Sequence, residues 1–412
     1  MNTWKIRVSI FINYFIFAVL LNSVGTVILQ VQRYFFVSPG DASYLDGFKD
    51  ISIAVTSFLI ASFLTRLGYK RAMLFALLIL AIGCFTIPLI NTFLAIKLLF
   101  VLVGFCFGIS KMCVYSIVGL VTKSEKSHIS LMNFLESFFM LGILSGNFIF
   151  SYFIDDKNPR SPQWLNTYYV LGVLTVFAFL FLLISPLDES QSKPSNEIAG
   201  LKNYTGVFKL AVQPLVLSFI GCAFIYVLIE QSIMNWLPTF NNKVLKIPST
   251  YSVMIASIMA ASIGLGRFFA ALVLKKFSWL IVLLACLICA AALVLIAIPL
   301  ANNSVVGVVK SWKGIPPAAY IFPLIGFFLA PIYPAINSVI LSSLPKARHG
   351  EMSGLIVIFS ALGGTLGSII TGHIFQHFGG ENAFYFSLFP ITCLFIILII
   401  FNKDHKKFKN NL

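Results

Sequence analysis

Twelve long apolar runs, separated by short polar turns, constrain this 412-residue chain more than any other feature. They fall at 8–32, 44–64, 72–91, 95–121, 130–154 and 165–185, then at 212–237, 250–274, 279–301, 316–344, 352–374 and 383–402. A helix needs about 20 residues to cross the hydrocarbon core of a bilayer. Inside that core every backbone N–H and C=O must be satisfied within the chain, so runs of this length are predicted to be helices. The stretch 187–210, with Asp188, Glu189, Lys193, Pro194 and Glu197, is the one long polar linker, and it separates six runs from six. The expected fold is an all-α membrane protein of twelve transmembrane helices in two pseudo-symmetric six-helix bundles. The expected divisions are 1–186 for the N-terminal bundle, 187–210 for a cytoplasmic linker and 211–412 for the C-terminal bundle. No loop is long enough to hold a separate soluble domain.

Hydrophobic residues make up 59% of the chain and charged ones 10%, which leaves too little polar surface for a soluble protein of this size. A net charge of +15 raises the question of nucleic acid, and the positions of the cations answer it. Lys5, Arg7, Arg66, Lys70, Arg71, Lys123, Lys126, Lys193, Lys202, Lys209, Lys275, Lys276, Lys346, Arg348 and the tail lysines 403, 406, 407 and 409 fall on one side of the predicted topology. The other side holds only Arg33, Lys97, Lys157, Arg160, Lys243, Lys246, Lys310 and Lys313. This excess is the positive-inside signature, so both termini are expected in the cytoplasm and no nucleic-acid partner is expected. The basic start and first apolar run lack a small-residue cleavage site and read as a first span, not a removed signal.

The seven cysteines all lie inside apolar runs. Cys286 and Cys289 have redox-motif spacing, but their Leu/Ala-rich surroundings read as buried apolar packing without a disulfide framework. The halves echo each other in their basic turns, Thr65-Arg66-Leu67-Gly68-Tyr69-Lys70-Arg71 and Lys275-Lys276-Phe277. Small residues recur at Gly104 and Gly108, and at Gly354, Gly363, Gly364 and Gly367. Such faces let helices approach closely.

Ionisable groups inside a span cost at least a few kcal/mol near the bilayer centre and normally face the bundle interior. Lys111 sits about ten residues, roughly 15 Å, from the cytoplasmic end of the fourth span. Glu136 sits six to eight residues, roughly 9–12 Å, from the cytoplasmic end of the fifth. A lysine stem spans the remaining gap, so two readings stand: a permanent bridge that fixes packing, or a pair that opens to engage substrate or a coupling proton. In the seventh span Glu230 follows Tyr226 by one turn, with Gln231 and Asn235 on a neighbouring face. This polar stripe reads either as a satisfied core cluster or as the wall of a central cavity, where a buried carboxylate suits proton carriage. Arg267 lies near the cytoplasmic end of the eighth span, and snorkelling or gating is expected of it; Arg66 is the matching gating candidate. Asp46, Lys49 and Asp50 read as a solvated helix start or an entrance charge pattern. His373 and His377 have i, i+4 spacing, yet no Glu follows the first in a zincin pattern, so no metal is expected. No cofactor is expected either. The absence of a Walker loop, a nucleophile elbow and a Rossmann fingerprint excludes the commonest ATP-driven and catalytic designs, and no enzyme activity is expected.

Several segments together resemble the major facilitator superfamily, and more narrowly its sugar:proton symporter branch typified by the bacterial L-fucose permease. They are Phe17–Asn22 running on to Gln30-Val31-Gln32, Ser137-Phe138 with Leu141-Gly142, Phe224-Ile225-Tyr226-Val227 with Glu230, Gly266-Arg267-Phe268, Ile332-Tyr333-Pro334-Ala335-Ile336, and Gly363-Gly364. The resemblance implies a transporter working by alternating access, with its cavity lined by the first, fourth, fifth, seventh, eighth and tenth helices. It also shows departures. The branch's first-helix proton-coupling Asp falls on Gly25, its fourth-helix Glu on Lys111, and its fifth-helix sugar-contacting Gln and Asn on Glu136 and Phe139. Asn22 keeps the family's Asn, and Thr65 stands where the superfamily loop usually has Asp. This change of charge points from fucose towards an anionic or zwitterionic solute such as an acidic sugar.

The expected function is therefore a proton-coupled secondary transporter of a small polar solute (a sugar, sugar acid or related organic anion), monomeric, in a bacterial inner membrane. Candidate substrate residues are Asn22, Lys111, Tyr115, Glu136, Phe139, Tyr226, Glu230, Gln231, Asn235 and Asn337, with Glu136 and Glu230 as proton carriers. The alternatives are a drug or siderophore exporter on the same scaffold and a non-transporting membrane receptor.

Overall fold

A computed structural model describes residues 4–122, 125–189, 210–274, 276–302, 312–344 and 349–410. Helices account for the predicted spans, and no strand occurs among the described residues. The first span is α1 (Trp4–Asn22) and α2 (Val24–Tyr34), followed by α3 (Pro39–Leu67), α4 (Tyr69–Ile90), α5 (Phe93–Val121), α6 (Glu125–Tyr152) and α7 (Thr167–Leu183). The second half is α8 (Pro214–Lys243), α9 (Ser249–Val273), α10 (Trp279–Asn302), α11 (Ala318–Leu329) with α12 (Ile332–Ser343), α13 (His349–Phe378), and α14 (Gly380–Tyr385) with α15 (Leu388–Asn410). Among the described residues, 10 helical segments are long and apolar enough to cross a membrane. The other two spans are more polar: α3 opens on Asp41, Asp46, Lys49 and Asp50, and α6 contributes a shorter apolar stretch, Phe138–Tyr152.

Local chemistry sets the ends of the elements. Asn91, with φ of 46°, closes α4 by donating its N–H to the Ile87 carbonyl at 3.0 Å. Thr92 then caps α5, its hydroxyl accepting from the Ala95 N–H at 3.2 Å, a side-chain substitute for the missing helical carbonyl. Three spans are in two pieces, and two of the breaks have a visible local cause. In the first, Asn22 Nδ2 donates to the Ala18 carbonyl at 2.9 Å and the Ser23 hydroxyl to that of Leu20 at 2.8 Å, competing for the helical acceptors. In the tenth, Pro331 supplies no N–H and separates α11 from α12.

The chain forms two compact units. The first comprises Met1–Phe36 with Phe48–Gly200, and the second Val37–Gly47 with Leu201–Leu412. Within the first, α1 packs on α6, and α4 on both α5 and α7. Within the second, α8 packs on α13 and α15, and α11 on α9 and α10. The correspondence between α1·α6 and α8·α13 carries the internal repeat into three dimensions. Glycines sit where these helices touch. A Cβ on Gly104 would collide with the Lys49 carbonyl of α3, and Cβ atoms on Gly363 and Gly367 would collide with the Phe224 and Leu228 carbonyls of α8. Gly354 is different: among the described residues nothing lies within 4 Å of its would-be Cβ. The second unit also holds the start of α3: Gly40 N–H donates to Gln376 Oε1 at 2.9 Å, and Tyr44 meets His373 at 3.4 Å.

Candidate functional site

In the first unit the polar centre is Lys111. It continues the face of α5 marked by Gly104 and Gly108, since positions 104, 108, 111 and 115 share one side of a helix. That face packs on α3 at Lys49 and Thr56, whereas the widely exposed Leu94 and Leu98 point elsewhere. Lys111 is half-buried. Its ammonium lies 5.8 Å from the Phe107 ring centre and 5.9 Å from that of Tyr115. An ammonium over an aromatic face gains from about 0.5 kcal/mol when exposed to about 2 when desolvated, which offsets part of the cost of a cation at this depth.

Around the lysine the rings form one cluster. The Tyr14 hydroxyl of α1 donates to the Tyr115 hydroxyl at 3.2 Å, and the Tyr14 ring sits 5.1 Å from Phe139 of α6. Phe107 lies 6.2 Å from both Tyr14 and Phe139, and Phe11 sits 4.9 Å from Phe138. Tyr14 and Phe107 are buried, while Tyr115 is 37% exposed and Phe138 39%. Lys111 and the partly exposed Tyr115 thus lie side by side in this cluster. Glu136 is in α6, but its side chain lies outside the described residues, as does that of Arg66 in α3. Asn22 is half-buried at the end of α1, its amide engaged by Ala18. Sequence reasoning missed Tyr14 and Phe107, although Phe107, Lys111 and Tyr115 stand at successive i, i+4 positions.

In the second unit a polar network surrounds Glu230. The Tyr226 hydroxyl donates to Glu230 Oε1 at 2.8 Å, one turn apart on α8. Tyr226 stacks on Tyr333 of α12, with ring centres 5.5 Å apart and 21° between planes. The Tyr333 hydroxyl bonds Ser360 of α13 at 2.9 Å, and Asn337 lies beside it one turn further along α12. Arg267 of α9 is within electrostatic reach of Glu230, Tyr226 and Tyr333. This puts Arg267, expected from the sequence to snorkel or gate, beside the polar cluster. Two buried atoms here, Arg267 Nε and Asn337 Oδ1, have no hydrogen-bond partner among the described residues. Buried polar atoms are nearly always satisfied by protein, water or ligand. Tyr333 and Ser360 are additions to the sequence-derived set.

Gln231 and Asn235 belong to a separate group. Asn235 Nδ2 donates to Gln231 Oε1 at 2.9 Å and to Asp46 Oδ2 at 2.6 Å. Asp46 has 0% of its surface exposed, so the solvated helix start expected at this position is corrected: its carboxylate is held by a neighbouring helix. Lys49 is also buried and pairs with Asp50 at 3.3 Å. His373 and His377 stack with ring centres 6.4 Å apart, and no three-ligand cluster suited to a metal occurs among the described residues.

A family model described as Major Facilitator Superfamily matches residues 10–322 and 317–411. The chain is 23% identical over 415 residues to the Protein TsgA homolog of Buchnera aphidicola subsp. Schizaphis graminum (strain Sg), with 98% of each covered. The solved structure of the nucleoside transporter NupG matches with a TM-score of 0.74 at 15% identity, covering 98% of this chain and 100% of that one. That of the transporter FucP in the outward conformation matches with a TM-score of 0.61 at 16% identity, covering 97% and 98%. At such identities the structural likeness establishes the fold.

Proposed function

Since the chain belongs to the Major Facilitator Superfamily, we propose that it is a secondary active transporter moving a small polar solute, a sugar acid or related organic anion, by alternating access. Its place is a bacterial inner membrane with both termini in the cytoplasm, and a proton is the coupling ion. The observation that carries this reading is Lys111, a half-buried cation within a span, beside the partly exposed ring of Tyr115. A charge at that depth gains most from an anionic partner. The lysine would anchor a carboxylate, and the rings would cover the apolar face of a sugar. Glu230, bonded by Tyr226, is the candidate proton carrier, with Glu136 as the second. NupG and FucP, which share this fold, are transporters, in keeping with this reading.

The deciding experiment is a thermal-shift screen of the purified protein against neutral sugars, sugar acids and amino acids, followed by uptake into proteoliposomes. A ligand raises stability only by binding the folded form. Stabilisation and uptake by an acidic sugar, both absent in a folded Lys111→Ala variant, support the proposal; equal uptake by that variant overturns it. A second reading, export of a larger aromatic compound, draws on the same rings around Lys111. Accumulation of such a compound in inside-out vesicles, with no uptake of sugar acids, would favour it.

A further inference from the structure

A groove of about 330 Å³ opens on the second unit, away from the Glu230 network. Its walls come from the end of α9 (Phe269, Val273), the start of α10 (Ala285, Cys286) and the break after α11 (Phe327, Pro331). Phe277, in the turn between α9 and α10, stands at one end. The lining is almost wholly apolar. Gly266 lets α9 press against the backbone of α11 here, since a Cβ at that position would collide with the Phe327 carbonyl. Water gains nothing from such a surface, whereas a hydrocarbon chain does.

Three observations point to the occupant. The first is depth. Phe277 is flanked by Lys276 and by Trp279, and Trp with Lys marks the headgroup level of a bilayer. The groove therefore starts at the interface and runs into the hydrocarbon. The second is charge. Lys276, exposed, is the chain neighbour of the lining residue Phe277. Trp279 also contacts Phe401 and His405 at 5.8 and 6.5 Å, which brings the end of α15, with Lys403, Lys406, Lys407 and Lys409, to the same end of the unit. The third is side: on the proposed topology, with both termini in the cytoplasm, this turn faces the cytoplasmic leaflet, where anionic lipids attract such basic clusters.

We propose that this groove is a binding site for one anionic phospholipid, an acyl chain lying along Phe269, Val273 and Cys286 and the headgroup held by Lys276 and the basic end of α15. The site is independent of the transported solute, because none of its lining residues belongs to the Lys111 or Glu230 clusters.

Native mass spectrometry of the full-length protein, titrated with phosphatidylglycerol and with phosphatidylcholine of the same chains, tests this. The expected result is a single preferred phosphatidylglycerol adduct. Lys276→Gln should weaken it about fivefold, the effect of one cation at a membrane surface, and Ala285→Trp, which fills the groove, should abolish it. Where Ala285→Trp does not fold, the exposed Lys276→Gln carries the test, together with protection of Cys286 from an apolar maleimide by phosphatidylglycerol. Equal retention of both lipids, an adduct unchanged in the variants, or equal competition by free glycerophosphate would overturn the proposal.

Discussion

Glu189 and Lys70 are joined where the polar linker begins: the Lys70 backbone N–H donates to Glu189 Oε1 at 2.8 Å, beside the Tyr69 N–H to Oε2 at 3.1 Å. The carboxylate thus sits on the first turn of α4, where free N–H groups and the helix dipole favour negative charge. The Lys70 ammonium meanwhile donates to the Leu183 and Ser185 carbonyls at the end of α7, at 2.9 and 2.7 Å. Gly68 makes the turn possible, since its φ is +88° and a Cβ would stand 2.7 Å from Glu189 Oε2.

Removing this cap should loosen the first unit. Glu189→Ala is expected to cost about 0.5–2 kcal/mol, and Gly68→Ala about 1–3 kcal/mol from the strained backbone. Thermal unfolding in detergent reads both. A Gly68→Ala protein that melts with the native one would show that the turn relaxes freely.

Lys111→Ala should lose affinity for an acidic solute while keeping its melting temperature. A hydrogen bond to a charged group contributes about 1.5–3 kcal/mol, so the dissociation constant should rise by about tenfold or more. Isothermal titration with the solute found by screening measures it. Unaltered affinity removes the lysine from the site.

Glu230 and Tyr226 should act as a unit. A double-mutant cycle of Tyr226→Phe and Glu230→Gln is expected to show a coupling of about 0.5–3 kcal/mol. If Glu230 carries the proton, Glu230→Gln should retain solute exchange but lose accumulation driven by a pH gradient. Gradient-driven uptake at the native rate in that variant assigns the proton elsewhere.

Asn235→Ala should destabilise the second unit by removing a partner from the wholly buried Asp46 carboxylate. The expected cost is about 1–3 kcal/mol, that of taking a donor away from a buried acceptor. Adding Asp46→Ala should restore part of the loss, and comparison of the three melting curves checks the sign.

The spans were legible because hydrocarbon thickness fixes helix length, and the runs from Trp4 to Asn410 obey it. The Tyr226–Glu230 hydrogen bond followed from i, i+4 spacing, and Gly104 and Gly363 announced close helix contacts. Gly354 carried the same signal and meets no close neighbour among the described residues, since composition alone does not say which face a partner covers. The burial of Asp46 was hidden for a similar reason: a carboxylate near a helix start looks solvated until Asn235, 189 residues away, is seen beside it. The break at Ser23 had no proline to announce it. Tyr333 and Ser360 are ordinary residues in apolar runs, made polar partners only by the meeting of α12 and α13.

Four of the seven free thiols are sealed within helix packing, while Cys286, Cys289 and Cys393 are half-covered, on α10 and α15. Maleimide-linked fluorophores would therefore mark the C-terminal half alone. The native chain already carries a one-sided optical handle, with the region around Lys111 left dark.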